Sequence, residues 1–382
     1  MRLSHLTLSS FRAHELTEVA PTPGVNLLVG PNGAGKTNLL EAIGYLCLGK
    51  SFLGASDTHV LRRGDPHFQV EGQFESDRGT ESRLRLASVP GEGKRAFANG
   101  APLERLAKLV GRAPVVVMSP DDRDLTAGGP VERRRFLDAT LSQSSPVYLD
   151  DLLKYRRALR QRNALLQQRR KGGSFTPGTM EAWDEELATL AARVVERRRT
   201  FLDAFAQRIE EADALIGSPG GSPTLRYRPS SGEPEPDDLD AMRRELARTR
   251  RRSMALGRTL VGPHLDEVVF QIDGFDLRPF ASQGQHRTFA LIVRIAQALY
   301  LRERTEERPL LLLDDVFGTL DSDRTQVVLD MLVAQTLGQS FVTAARAEPF
   351  DDVVPFDGGT HAAFHVERGT VRALSSSIPL SS

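Results

Sequence analysis

Gly30-Pro31-Asn32-Gly33-Ala34-Gly35-Lys36-Thr37 matches the phosphate-binding pattern G-x-x-x-x-G-K-[ST]. The apolar run Val25-Asn26-Leu27-Leu28-Val29 before it reads as a buried strand, and Asn38-Leu39-Leu40-Glu41-Ala42-Ile43 after it opens a helix. That context is the one the pattern needs. Glycines at 30, 33 and 35 let the backbone curl until successive N–H groups face one anion, and the helix start adds partial positive charge. Lys36 is expected to reach the β- and γ-phosphates of a nucleotide, and Thr37 to ligate Mg²⁺.

Two distant stretches supply partners. Pro309-Leu310-Leu311-Leu312-Leu313-Asp314-Asp315 reads as a buried strand ending in paired carboxylates, which are costly to bury without partners and so are placed at an exposed end. Asp314 is expected to hold Mg²⁺ through a water, and Asp315 to act as general base toward the attacking water. Ahead of that strand, Ala281-Ser282-Gln283-Gly284-Gln285 begins an apolar-periodic helix through His286-Arg287-Thr288-Phe289, a second helix start suited to an anion.

In this order the phosphate loop, the Ser-Gln-Gly-Gln helix start, the Asp-Asp strand and Leu320-Asp321 resemble the ABC-type ATPase heads. Further words narrow the match. Ser10-Phe11-Arg12, Val117-Met118-Ser119-Pro120-Asp121-Asp122, Arg133-Arg134-Arg135-Phe136-Leu137-Asp138, Gly262-Pro263-His264 and Ser282 to Thr288 together resemble the RecF family of bacterial recombination-repair ATPases. The resemblance implies an α/β fold: an ABC-type head of mixed sheets split by a helical-hairpin insertion. It implies that residues 30–37 and Ser282-Gln283-Gly284-Gln285 bind ATP, the latter against a nucleotide held by a second copy. Lys36, Asp314 and Asp315 are then the catalytic set, with Thr37 and Asp314 on the metal. It further implies an ATP-gated homodimer on duplex DNA at single-strand gaps or junctions. Cooperation with RecR and RecO and loading of RecA follow from the same resemblance.

Bulk properties constrain the rest. The 382 residues carry 50 Lys+Arg against 50 Asp+Glu, so no global field draws the chain to nucleic acid or membrane, and any such binding rests on local patches. Cys47 is alone, which rules out an internal disulfide and fits a reducing compartment. No signal-like core or long apolar run stands in the sequence, so a cytoplasmic protein without a membrane partner is expected.

Along the chain, residues 1–118 are expected to form the first part of the head, with strands at Leu3 to Phe11, Phe68 to Phe74 and Ser82 to Ala87 and a strand at Pro114 to Met118. Arg12 either approaches the nucleotide or lies on the surface. Residues 119–255 read as the insertion, an antiparallel helical hairpin turning at Lys171 to Gly178. Leu152, Leu159 and Leu166 recur every seventh residue, and Trp183, Leu187, Leu190, Val194, Phe201, Phe205 and Ile209 form a core stripe. Between Leu152 and Met180 there are no acids, while Lys154, Arg156, Arg157, Arg160, Arg162, Arg169, Arg170 and Lys171 are basic. A second basic cluster, Arg243 to Arg252, follows a Pro- and acid-rich linker from Ser230 to Asp240. Such clusters are either solvated helix faces or phosphate contacts. Residues 256–374, with a strand at Val268 to Ile272, are expected to complete the head, and 375–382 to be a disordered tail. Thr343 stands where many ABC-type ATPases carry a switch histidine, which implies slow hydrolysis. Two rival classes share the nucleotide motifs: a transporter ATPase subunit, and a structural ATP-binding component without turnover.

Overall fold

A computed structural model describes residues 1–374 apart from 177, 219, 231–238 and 348–349, and describes Thr319 by its backbone alone. The tail 375–382 and most of the linker after Ser230 therefore lie outside the described residues. The chain divides into two compact units. One comprises Met1–Asp122, Glu211–Gly217 and the chain from Arg287 onward; the other comprises Arg123–Glu210 and Ser218–His286.

In the first unit, alternation builds an antiparallel sheet. Leu3, Leu6, Leu8 and Phe11 of the Arg2–Phe11 strand are fully buried, as are Val70, Leu84 and Leu86 across from them. The six strands lie in the order 14–19, 2–11, 68–75, 81–89, 93–98 and 101–102, with Leu6 opposite Val19 on one side and Gly72 on the other. Gly72 weakens its strand for a reason. A side-chain carbon there would sit 2.8 Å from Leu46, on the Lys36–Leu48 helix that packs against this sheet.

The second sheet reads differently: its strands 25–29, 340–344, 310–314 and 115–118 are nearly continuous buried runs, the pattern of strands covered on both faces. Its order is 370–373, 362–367, 25–29, 340–344, 310–314 and 115–118, parallel except for the first pair. Leu28 is opposite Thr343, and Thr343 opposite Asp314. The carboxyl ends of three neighbouring strands thus open side by side, which is where ligands bind in parallel sheets.

The second unit carries most of the helical hairpin. Pro146–Arg170 runs antiparallel to Thr179–Ile216, as Asp151 beside Arg197 and Arg162 beside Asp184 require. Leu152 and Leu166 are buried, as are Leu187, Val194, Phe201, Phe205 and Ile209. The Glu267–Ile272 strand, expected to rejoin the head, instead pairs antiparallel with Pro223–Arg228 inside this unit. The sequence hid that partner, because a six-residue polar strand beside a proline-rich linker carries little periodic signal. Among the described residues no helix is long and apolar enough to cross a membrane.

Candidate nucleotide site

The loop is shaped by what surrounds its glycines. Gly30, Gly33 and Gly35 all have positive φ. A side-chain carbon on Gly30 would lie 2.2 Å from the Val366 carbonyl oxygen, so only glycine fits there. At Gly33 nothing among the described residues lies within 4 Å of such a carbon, which leaves that part of the loop open. Gly35 caps the Lys36–Leu48 helix in a left-handed conformation. Pro31, Asn32 and Gly33 are exposed and Ala34 is buried, so the loop's middle faces outward from an anchored base.

Lys36 curls back over this loop. Its Nζ donates to the carbonyls of Gly30 at 2.6 Å and Pro31 at 3.0 Å. Burial pulls its pKa down, opposed by the charges of Asp315 and Asp314. An ammonium held by carbonyls and attracted by two carboxylates is poised for a ligand that brings more negative charge.

Thr37 and the Asp-Asp strand meet directly. Thr37 Oγ1 donates to Asp314 Oδ1 at 2.8 Å, and Thr343 Oγ1 donates to the same oxygen at 2.7 Å. Asp314 is buried, and these two hydroxyls satisfy it, so the pair is not simply placed at an exposed end. Asp315 is the exposed member. It adopts φ 51°, and its N–H donates to Thr343 Oγ1 at 2.9 Å. Thr343 therefore ties both aspartates, and it does so as a neutral group.

Ser282 and Gln285 form a reciprocal cap at the start of the Gln283–Thr305 helix. Gln285 N–H donates to Ser282 Oγ at 3.2 Å while Ser282 N–H donates to Gln285 Oε1 at 2.8 Å. Ser282, Gln283 and Gly284 are exposed. They belong to the second unit, whereas the loop and both aspartates belong to the first.

Several residues take other roles. Arg12 is half-buried and forms a two-pronged pair with the buried Glu41, at 2.7 and 2.9 Å. The Asp122 carboxylate receives Arg294 and the Ser119 N–H. Arg134 donates to the Asp266 carbonyl and Asp138 accepts from Tyr148, Arg156 and Arg198, while a side chain on Gly262 would crowd Tyr155 Oη at 2.8 Å. The Arg-Arg-Arg-Phe-Leu-Asp and Gly-Pro-His words thus meet in one buried network.

The basic clusters divide in the same way. Arg162 is fully buried, paired with Asp184 at 2.6 Å, and Arg156, Arg243 and Arg250 also hold acidic partners. Arg157, Arg160, Arg169, Arg244, Arg251 and Arg252 are exposed and hold no ion pair among the described residues.

The sequence missed the loop's supports. The turn joining Ala362–Glu367 to Thr370–Ala373 brings the Gly369 N–H to the Ala34 carbonyl at 2.9 Å, and buried His14 reaches the Gly35 carbonyl. The signal available was the Arg368-Gly369 turn between two short alternating strands.

A family model described as RecF/RecN/SMC N terminal domain matches residues 2–364. A DNA replication and repair protein RecF of Salinibacter ruber is 48% identical over 374 residues, covering 97% of this chain and 91% of that protein. The chain belongs to the RecF family. A second RecF, from Chloroherpeton thalassium, is 42% identical over 92% of this chain and 97% of its own. The solved recombination mediator protein RecF with ATP, of the RecFOR pathway, superposes with a TM-score of 0.88 at 30% identity, covering 98% of this chain and 97% of that one. An Smc head bound to the C-winged helix domain of ScpA aligns with a TM-score of 0.56 at 15% identity, a likeness of fold alone. For a RecF-family chain the ABC-type head expected from the phosphate loop is therefore the right architecture.

Proposed function

We propose that this chain is an ATP-dependent DNA-binding clamp of recombinational repair with slow ATP turnover. The observation that carries the reading is the convergence of Lys36 Nζ, Thr37 Oγ1 and the Asp314 carboxylate at adjacent strand ends, on a loop open at Gly33. The RecF solved with ATP supports the choice of nucleotide. Thr37 and Asp314 offer the hard oxygen donors that suit Mg²⁺, which takes one or two protein oxygens and leaves the rest to phosphate and water. That cation would screen the charge of the phosphates. Lys36 exchanges the Gly30 and Pro31 carbonyls for phosphate oxygens. Asp315, exposed beside Asp314, serves as the base, with its backbone held by Thr343. Thr343 brings no positive charge to the reacting phosphate, which accounts for slow turnover.

The exposed cap Ser282-Gln283-Gly284-Gln285 closes on the nucleotide of a second copy, so that ATP becomes part of a symmetric interface. Charge-assisted hydrogen bonds of about 1.5–3 kcal/mol each make such closure strongly nucleotide-dependent. The exposed arginines from Arg157 to Arg252 supply sequence-independent phosphate contacts to duplex DNA. Binding at gaps, cooperation with RecR and RecO, RecA loading and a cytoplasmic site of action complete the reading, in keeping with the RecFOR pathway of the solved relative.

The test is the solution mass of the Asp315→Asn protein with a gapped duplex, with and without ATP. An ATP-dependent dimer that retains the duplex is expected. A persistent monomer, or a dimer indifferent to DNA, overturns the clamp.

A further inference from the structure

His14, fully buried at the start of the His14–Val19 strand, touches both the phosphate loop and its support. Its Nε2 lies 3.2 Å from the Gly35 carbonyl oxygen and its Nδ1 3.0 Å from Thr17 Oγ1. Thr17 Oγ1 in turn donates to the Gly369 carbonyl at 2.9 Å, and Gly369 N–H returns to the Ala34 carbonyl at 2.9 Å. The circuit begins at Gly35 and ends at Ala34, the two loop residues before Lys36.

Its protons do not balance with a neutral ring. A hydroxyl has one hydrogen, so a Thr17 that donates to Gly369 can only accept from Nδ1. A carbonyl only accepts, so Nε2 must also donate to Gly35. Both nitrogens donate only in the imidazolium. Either neutral tautomer leaves one contact of the circuit without its hydrogen.

Burial opposes that charge. It pulls the His14 pKa below the ordinary value, against the pull of the Gly35 and Gly369 carbonyls. Glu15 on its own strand and Glu367 and Arg368 on the supporting turn are exposed, Lys36 is turned to the Gly30 and Pro31 carbonyls, and Arg12 is held by Glu41. The geometry asks for a cation that the free site disfavours.

Building on the nucleotide reading above, we infer that His14 is a positioning residue of the phosphate loop that takes up a proton when a nucleoside triphosphate binds, so that nucleotide affinity rises as pH falls. The incoming anion supplies the compensating charge. A proton bound more tightly in the complex than in the free protein strengthens binding as pH falls, and the gain is lost as pH rises through the complex's own titration. Each unit of difference between the two states corresponds to as much as about tenfold in affinity.

The experiment is calorimetric titration of the full chain with ATP and Mg²⁺ in buffers of different ionisation heat, from about pH 5.5 to 7.5. His14→Gln is compared, since its amide nitrogen can still donate to the Gly35 carbonyl and its side chain does not titrate. The triphosphate's own protonation is common to both proteins and cancels. The wild type is expected to take up additional protons on binding and to lose affinity severalfold more steeply with rising pH than His14→Gln. Equal uptake and equal pH slopes overturn the inference, whereas absence of ATP binding by the wild type overturns the nucleotide reading itself. Nitrogen NMR of the His14 ring in the wild type, with and without nucleotide, gives the same decision if the variant does not fold; an unchanged titration rejects the inference.

Discussion

Among the described residues Lys36 is held only by two backbone carbonyls and the field of two aspartates, so its charge is available to a ligand rather than spent on a structural ion pair. Lys36→Met is expected to lower ATP affinity by more than tenfold, as read by calorimetry, because a charge-assisted hydrogen bond contributes about 1.5–3 kcal/mol. Unchanged affinity would remove the loop from the nucleotide. His264 makes a different prediction. Burial pushes its pKa down to about 4, and its Nδ1 lies 2.6 Å from Tyr155 Oη. The unfolded chain takes up that proton near pH 6.5 and the folded protein does not, so its stabilising effect is complete above pH 6.5 and is lost as pH falls toward about 4. Denaturant midpoints of His264→Gln should therefore fall less steeply over that window than those of the wild type. Parallel curves would show that the ring titrates freely. Lys36 and Thr37 were legible because a motif specifies them by spacing. His14 was not, because its importance lies in contacts made across the fold.

At the level of elements, the Gln283–Thr305 helix begins with a cap that is complete within one chain. Ser282→Arg removes the hydroxyl and adds bulk at an exposed position. It is expected to cost about 1 kcal/mol in the cap, to leave ATP binding by the monomer intact and to abolish the ATP-bound dimer in sedimentation. A dimer of wild-type strength would show that this helix start serves only as a cap. The Phe68–Glu75 and Glu81–Val89 strands were readable from alternation, and the Leu310–Asp314 strand from its apolar run. The Pro223–Arg228 strand was not, since it is half polar and its pairing with Glu267–Ile272 spans a long separation in sequence.

For the whole molecule, zero net charge makes the distribution of arginines decisive. Composition could count the basic residues of the helical unit, yet Arg162 is buried against Asp184 while Arg157 and Arg160 on the same helix are exposed. Charge reversal of Arg157, Arg160 and Arg251 is expected to weaken duplex binding on any sequence and to reduce the salt slope by roughly one per lost phosphate contact. Anisotropy titrations across salt concentrations check this, and an unaltered slope would move the DNA contact elsewhere.

The sequence by itself determined the phosphate loop, the Asp-Asp strand and the capped helix start, because each is a local arrangement in which neighbouring residues dictate backbone shape and chemistry. The tertiary structure alone decided that Thr37 and Thr343 share one oxygen of Asp314, and that His14 and Gly369 brace the loop. It also decided which arginines are paired with acids and which are left exposed. Those outcomes depend on strand order and burial, which bring together groups hundreds of residues apart and set the cost of each unpaired charge.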